Sequence, residues 1–140
     1  MTENFKILAE FIKDISSETP NVQTYIFTKE NISKYILSID IHSNAMRKNM
    51  VEINTILKFE DKKPNEKKSY FEINYTTIAK IDDKIKVKKE LEKIILVEIQ
   101  KVIYPRLEKA FINLLHDSGH PEINLEKKID FDKLYNERPN

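Results

Sequence analysis

Nothing else in this chain limits its architecture as tightly as three stretches in which apolar and polar residues alternate with a period of two. In Tyr35 to Ile41 the odd positions are Tyr35, Leu37, Ile39 and Ile41, set against Ser38 and Asp40. In Asn49 to Phe59, Val51, Ile53, Leu57 and Phe59 oppose Glu52, Asn54 and Lys58. In Ser69 to Ile81, Phe71, Ile73, Tyr75 and Ile81 oppose Glu72, Asn74 and Lys80. Successive side chains of a strand point to opposite faces, so runs of this length predict antiparallel strands with one dry face and one wet face. Ser43 to Lys48 and the charged Glu60 to Lys68, which contains Pro64, read as the connecting turns. The residues by themselves give a three-stranded meander.

The N-terminal segment is ambiguous. Phe5, Leu8, Ala9, Phe11, Ile12 and Ile15 fit a helix, and propensity favours one over Phe5 to Ile12. Phe11, Lys13, Ile15 and Ser17, with Asp14, Ser16 and Glu18 opposite, also fit a strand. Thr19-Pro20 then opens a stretch to about Ser33 that reads as an irregular loop, because the residue before proline avoids the helical region.

After Asp82-Asp83 the period changes. Leu91, Ile94, Ile95, Ile99, Val102, Ile103, Leu107, Ala110, Phe111, Leu114 and Leu115 recur at helical spacing up to His116, with Gly119 as the stop. Pro105 is expected to kink or break this helix. Ile94 to Val97 is apolar on every side, which points to a subunit interface. Phe131 to Tyr135 forms a short last element.

At 140 residues the chain is read as a single domain, residues 1–140. Its 24 basic and 23 acidic residues leave a net charge of +1, and only Arg47, Arg106 and Arg138 are arginines, which argues against a nucleic-acid partner. Cysteine is absent, which excludes thiolate chemistry and disulfides and suits a reducing cytoplasm. With Gly119 as its only glycine, the chain has no glycine-rich phosphate loop, and no apolar run is long enough for direct membrane insertion.

Chemistry-bearing groups are few. His116-Asp117 and His120 could in principle hold a metal, but Gly119 ends the helix between the histidines and spoils their shared face. No enzyme activity, metal or cofactor is therefore expected. Asp14, Glu18, Glu52 and Glu72 occupy even positions, so strand periodicity places them together on the wet face. They are either ordinary solvated carboxylates or an acidic docking surface for a basic partner. Two stretches are unusually apolar for loops: Pro20, Val22, Tyr25, Ile26 and Phe27 in the first, and Pro121, Ile123 and Leu125 in the second. Either both fold onto the core or they frame a groove for an extended ligand.

Several segments resemble one family, the SecB protein-export chaperones. Lys13-Asp14-Ile15-Ser16-Ser17-Glu18-Thr19-Pro20-Asn21 resembles its K-D-(I/V)-S-F-E-x-P-x signature. Val51-Glu52-Ile53 resembles its Y-E-V strand, and Phe71-Glu72-Ile73 a strand with a similarly placed acid. Ile103-Tyr104-Pro105-Arg106 resembles L-F-P-Y-A-R. Gly119-His120-Pro121-Glu122-Ile123-Asn124-Leu125 resembles G-F-P-x-L-x-L, and Ile129 to Tyr135 resembles the (V/I)-N-F-x-x-L-(F/Y) close. The matches run in order from about Phe5 to Tyr135. Ser17 stands where the family carries an aromatic, and the near-neutral charge departs from its usual acidity.

The resemblance implies an α+β fold: a four-stranded antiparallel sheet, a long kinked helix and a short C-terminal helix, assembled as a dimer of dimers. It makes the segment near Phe11 the first strand and gives Ile94 to Val97 to the tetramer interface. It implies an ATP-independent chaperone that holds unfolded precursor polypeptides and delivers them to the SecA motor, or alternatively one dedicated to a specific partner such as an antitoxin. Asp14, Glu18 and Glu72 match the family's SecA-docking acids. The two apolar connections match the segments that flank its client groove.

Overall fold

The computed structural model describes residues 4–61, 68–125 and 129–138. Four strands form one antiparallel sheet: β1 Phe5–Glu18, β2 Ile36–Ala45, β3 Met50–Glu60 and β4 Tyr70–Ile81, in the order β1-β4-β3-β2. The alternation in β3 and β4 does what a period of two dictates. Val51, Ile53, Leu57 and Phe59 pair across with Ala79, Thr77, Ile73 and Phe71, and all are buried on the helix side. The β2–β3 turn is closed by Lys48 and Asn49 in the left-handed region, at φ 58° and 62°. Most of the turn expected between Glu60 and Lys68, Pro64 included, lies outside the described residues.

The N-terminal segment is a strand, and the helical leaning over Phe5 to Ile12 is overturned. Two extra residues, Leu8 and Lys13, bulge from β1 where it pairs with β4. Each bulge shifts the phase by one. Phe5 and Ile7 lie opposite Ile81 and Ala79 on the helix side, Phe11 lies opposite Thr76 on the outer face, and Ile15 lies opposite Ile73 on the helix side again. A bulged strand therefore places its inward apolar residues at spacings that imitate a helix.

A second correction concerns the segment after Pro20. It is not an irregular loop: Val22–Glu30 is a helix, α1, followed by a 3₁₀ turn at Ile32–Lys34. Asn21 caps it, its side-chain oxygen accepting from the Thr24 N–H at 2.8 Å. Pro20 precedes the cap, where a missing N–H costs nothing. The helix went unseen because its buried residues are Thr24 and Thr28 while Val22 and Ile26 face out. Thr28 Oγ1 accepts from the Ser69 N–H at 3.0 Å, and the Tyr35 hydroxyl donates to the Ser69 carbonyl at 2.5 Å.

One long joined helix covers the sheet: α2 Lys88–Lys93, a π turn at Ile94–Glu98, and α3 Ile99–Asp117. Ile99, Ile103, Leu107, Phe111 and Leu115 recur every four residues as one buried stripe. The irregularity lies at the π turn, and α3 runs on through Pro105 without interruption. The wide turn and the short helix α4, Phe131–Asn136, also revise the reading of Ile94 to Val97. Ile94, Ile95 and Val97 are buried within the chain itself, against the core that includes Phe131, so this run is no sign of a subunit interface. Buried Gln100 braces the turn, its amide donating to the Ile95 carbonyl and its oxygen accepting from the Thr55 hydroxyl.

Candidate functional site

The two apolar connections meet at one end of the molecule. Helix α3 ends at Asp117, and Gly119 reverses the chain at φ +100°, a conformation L side chains rarely adopt. Its N–H donates to the His116 carbonyl, and the His120 N–H to that of Leu115, each at 3.1 Å. The helix thus stops before His120, as the glycine predicts. His120 is fully buried, its ring tilted on Tyr25 at 5.2 Å and edge-on to Phe71 at 5.6 Å. Burial holds the imidazole below its ordinary pKa, and Glu122 opposes that in part. His116 points elsewhere, to the Ile123 carbonyl at 2.9 Å.

Tyr25 links the segments. Its hydroxyl donates to the Gly119 carbonyl at 2.6 Å, and Lys29 one turn on pairs with Glu122 at 3.6 Å. Ile123 and Leu125 pack half-buried against the core, and Phe27 is half-buried. Pro20 and Pro121 are exposed, Val22 is 67% exposed and Ile26 49%. The eight residues therefore divide. Tyr25, Phe27, Ile123 and Leu125 are half-buried, and Pro20, Val22, Ile26 and Pro121 are exposed. Clefts of about 390, 410 and 300 Å³ lie at the opposite end of the sheet, and none of the eight lines them.

The acids lie on the outer face of the sheet. After the second bulge Asp14 stands opposite Asn74, Glu18 opposite Tyr70, and Glu72 opposite both Ser16 and Lys58. Their environments differ. Glu72 accepts from the Tyr70 hydroxyl and pairs with Lys58 at 3.8 Å. Burial first, and the hydrogen bond to Glu72 second, raise the Tyr70 phenol above its ordinary pKa. Asp14 and Glu18 have no hydrogen-bond or ion-pair partner among the described residues. Glu52 is tied to Asn54 at 2.8 Å and Lys13 at 3.3 Å, and these contacts hold its carboxyl below the usual range.

Strand periodicity missed the exposed apolar surface of β1. Leu8, Phe11, Ile12 and Ile15 are each nearly half exposed along an edge strand of 14 residues. A long unprotected edge carrying apolar side chains invites pairing with another chain. The signal available in the sequence was apolar residues on both phases of one strand.

Known proteins resemble this chain along its whole length. The family description that matches, "Preprotein translocase subunit SecB", covers residues 1–140. A putative protein-export protein SecB of Pelagibacter ubique is 56% identical over 140 residues, covering all of both chains. A protein-export protein SecB of Nitrobacter winogradskyi is 26% identical over 132 residues, 92% of this chain and 79% of that one. Among solved structures, a SecB-like chaperone of Mycobacterium tuberculosis in complex with a ChAD peptide from the HigA1 antitoxin superposes with TM-score 0.64. It is 10% identical, and the match covers 90% of this chain and 88% of that one.

Proposed function

This chain belongs to the SecB family of protein-export chaperones, and from that premise we propose that it is an ATP-independent holdase for unfolded precursor polypeptides, handing them to SecA in the cytoplasm. The observation that carries the reading is the inverted helix α1. Its threonines are buried and its Val22 and Ile26 face out, which leaves an open apolar rim.

The physics of holding follows from that rim. Unfolded chains expose large apolar side chains and folded ones hide them, so an apolar rim selects the unfolded state without reading a sequence. Each client side chain buried there contributes roughly 1.5–3 kcal/mol, while ordering it costs about 0.5–1.5 kcal/mol. One rim binds weakly, and several on one assembly bind a long client tightly through effective concentration. The exposed edge of β1 supports such an assembly, which we take to be a homotetramer. Of the proposed docking acids, Asp14 and Glu18 have no partner among the described residues and lie open to a basic surface of SecA, while Glu72 would first exchange Lys58.

The pairing of Glu72 also favours a second reading, a SecB-like chaperone for one dedicated partner such as an antitoxin, without motor docking. Native mass measurement with and without a denatured precursor tests the first. A species near 66 kDa, four times the 16.6 kDa chain, that gains one precursor supports it. A monomer that leaves precursor aggregation unchanged overturns it. Client holding without SecA binding, indifferent to Asp14→Lys and Glu72→Lys, selects the second.

A further inference from the structure

Folding gathers cations that are distant along the chain around one lysine-rich run of the sequence. The start of β1, the end of β4, the β2–β3 turn and the lead into α2 converge at the end of the sheet opposite Tyr25. There the Asp82 N–H donates to the Asn4 carbonyl at 2.9 Å and the Ile81 N–H to that of Asn49 at 2.8 Å. Lys84, Lys86, Lys88, Lys89 and Lys93 follow within ten residues, all exposed. The turn adds Arg47 and Lys48. Lys6 and Lys80 lie directly opposite each other across β1 and β4, where like charges repel. None of these cations has an ion-pair partner among the described residues.

The carboxylates nearby are largely engaged. Asp82 accepts from the Lys84 N–H, Asp83 from the Asn49 amide, and Glu92 pairs with Arg138. Hydrogen bonding leaves Asp82 and Asp83 charged, and with Glu90 and Glu98 they offset four of the nine cations. Apolar side chains stand among the lysines: Val87, between Lys86 and Lys88, is 56% exposed, and Met46 is 41% exposed.

We propose that this end is a peripheral docking surface for anionic lipid headgroups, with the lysines drawn to the headgroups and Val87 and Met46 entering shallowly between them. Lysine-rich patches are attracted to anionic bilayers by summed point charges, and neighbouring apolar side chains add burial at the interface. Nucleic acid fits less well. Arg47 is the only arginine here, and Phe11, the one exposed aromatic among the described residues, lies elsewhere on β1 for base stacking. An acidic peptide would engage the lysines but leave Val87 wet. The attachment is peripheral, since no described helix is long and apolar enough to cross a membrane.

The test is co-sedimentation of the full chain with vesicles of phosphatidylcholine alone and of phosphatidylcholine mixed with phosphatidylglycerol. Binding is expected only with phosphatidylglycerol, strong at about 0.01 M salt and lost near 1 M. Each lysine near a charged bilayer is worth about fivefold, so Lys84→Glu/Lys86→Glu/Lys88→Glu should weaken binding by a hundredfold or more, by about that factor per residue. The matching triple lysine-to-arginine variant should keep it, and Val87→Ser should weaken it severalfold at unchanged charge. Val22→Ser/Ile26→Ser, which tests client holding, should leave it intact, so the two proposals fail separately. Equal binding to both vesicles, binding to neither, or binding to single-stranded RNA or polyglutamate in place of vesicles would overturn the proposal.

Discussion

The Tyr25 ring covers Gly119 so closely that a Cβ added to the glycine would stand 2.6 Å from the ring carbon Cε1. The same tyrosine donates its hydroxyl to the Gly119 carbonyl. One glycine therefore serves two needs, a backbone turn at positive φ and the seating of α1 on the end of α3. Gly119→Ala should cost more than the about 1–2 kcal/mol of left-handed strain, because the ring must also move. Tyr25→Phe should cost only about 0.5–1.5 kcal/mol, the value of one hydrogen bond. Urea denaturation of the two variants checks the order, and a Gly119→Ala protein as stable as wild type would refute the arrangement.

The buried His120 gives the fold an acid sensitivity of known sign. Burial lowers its pKa in the folded chain from the ordinary 6.5, with Lys29 adding and Glu122 opposing. Below 6.5 the unfolded chain therefore binds the extra proton, so this contribution is full above 6.5 and is lost as pH falls. His120→Phe, which keeps a ring between Tyr25 and Phe71, should remove that part of the pH dependence. Thermal midpoints measured from pH 8 to about pH 5 decide it, since parallel curves for the two proteins would contradict the prediction.

Gln100 is a buried polar residue with both ends of its amide in use. Gln100→Leu preserves volume, removes the bond to the Ile95 carbonyl and strands the Thr55 hydroxyl, at about 1–3 kcal/mol for a group left without a partner. Adding Thr55→Val should recover part of that loss. A double-mutant cycle in urea reads the coupling.

Val22→Ser/Ile26→Ser removes exposed apolar surface without touching the buried threonines of α1. The thermal midpoint should stay within the range of ordinary surface changes, about 0.5 kcal/mol. Suppression of precursor aggregation, followed by light scattering, should fall severalfold. A variant that holds clients as well as wild type would place the holding surface elsewhere.

The strands β2, β3 and β4 could be read directly from the residues because each keeps one phase along its length. β1 could not, since the extra residues Leu8 and Lys13 turn a period of two into spacings of three. α1 was hidden for the opposite reason: pattern reading looks for apolar residues on the inner face, and here Thr24 and Thr28 hold it. Ile94 to Val97 suggested an interface because a regular helix cannot turn consecutive residues into one core, whereas a π turn with α4 beside it can. The acids Asp14, Glu18 and Glu72 were placed together correctly, because β1 has regained its phase by Asp14. The lysine-rich end is partly legible, since Lys84 to Lys93 run together in the sequence, whereas Lys6, Arg47, Lys48 and Lys80 join them only on folding.

The π turn has a bearing on how chains of this kind tolerate changes of length. A helix whose hydrogen bonds span five residues absorbs one more residue per turn than its neighbours do. Deleting one residue between Ile94 and Glu98 would therefore convert the π turn into α-helix locally. The ladder from Ile99 to Leu115 would stay in step with the sheet, whereas a similar change a few residues downstream would swing every later rung by about 100°.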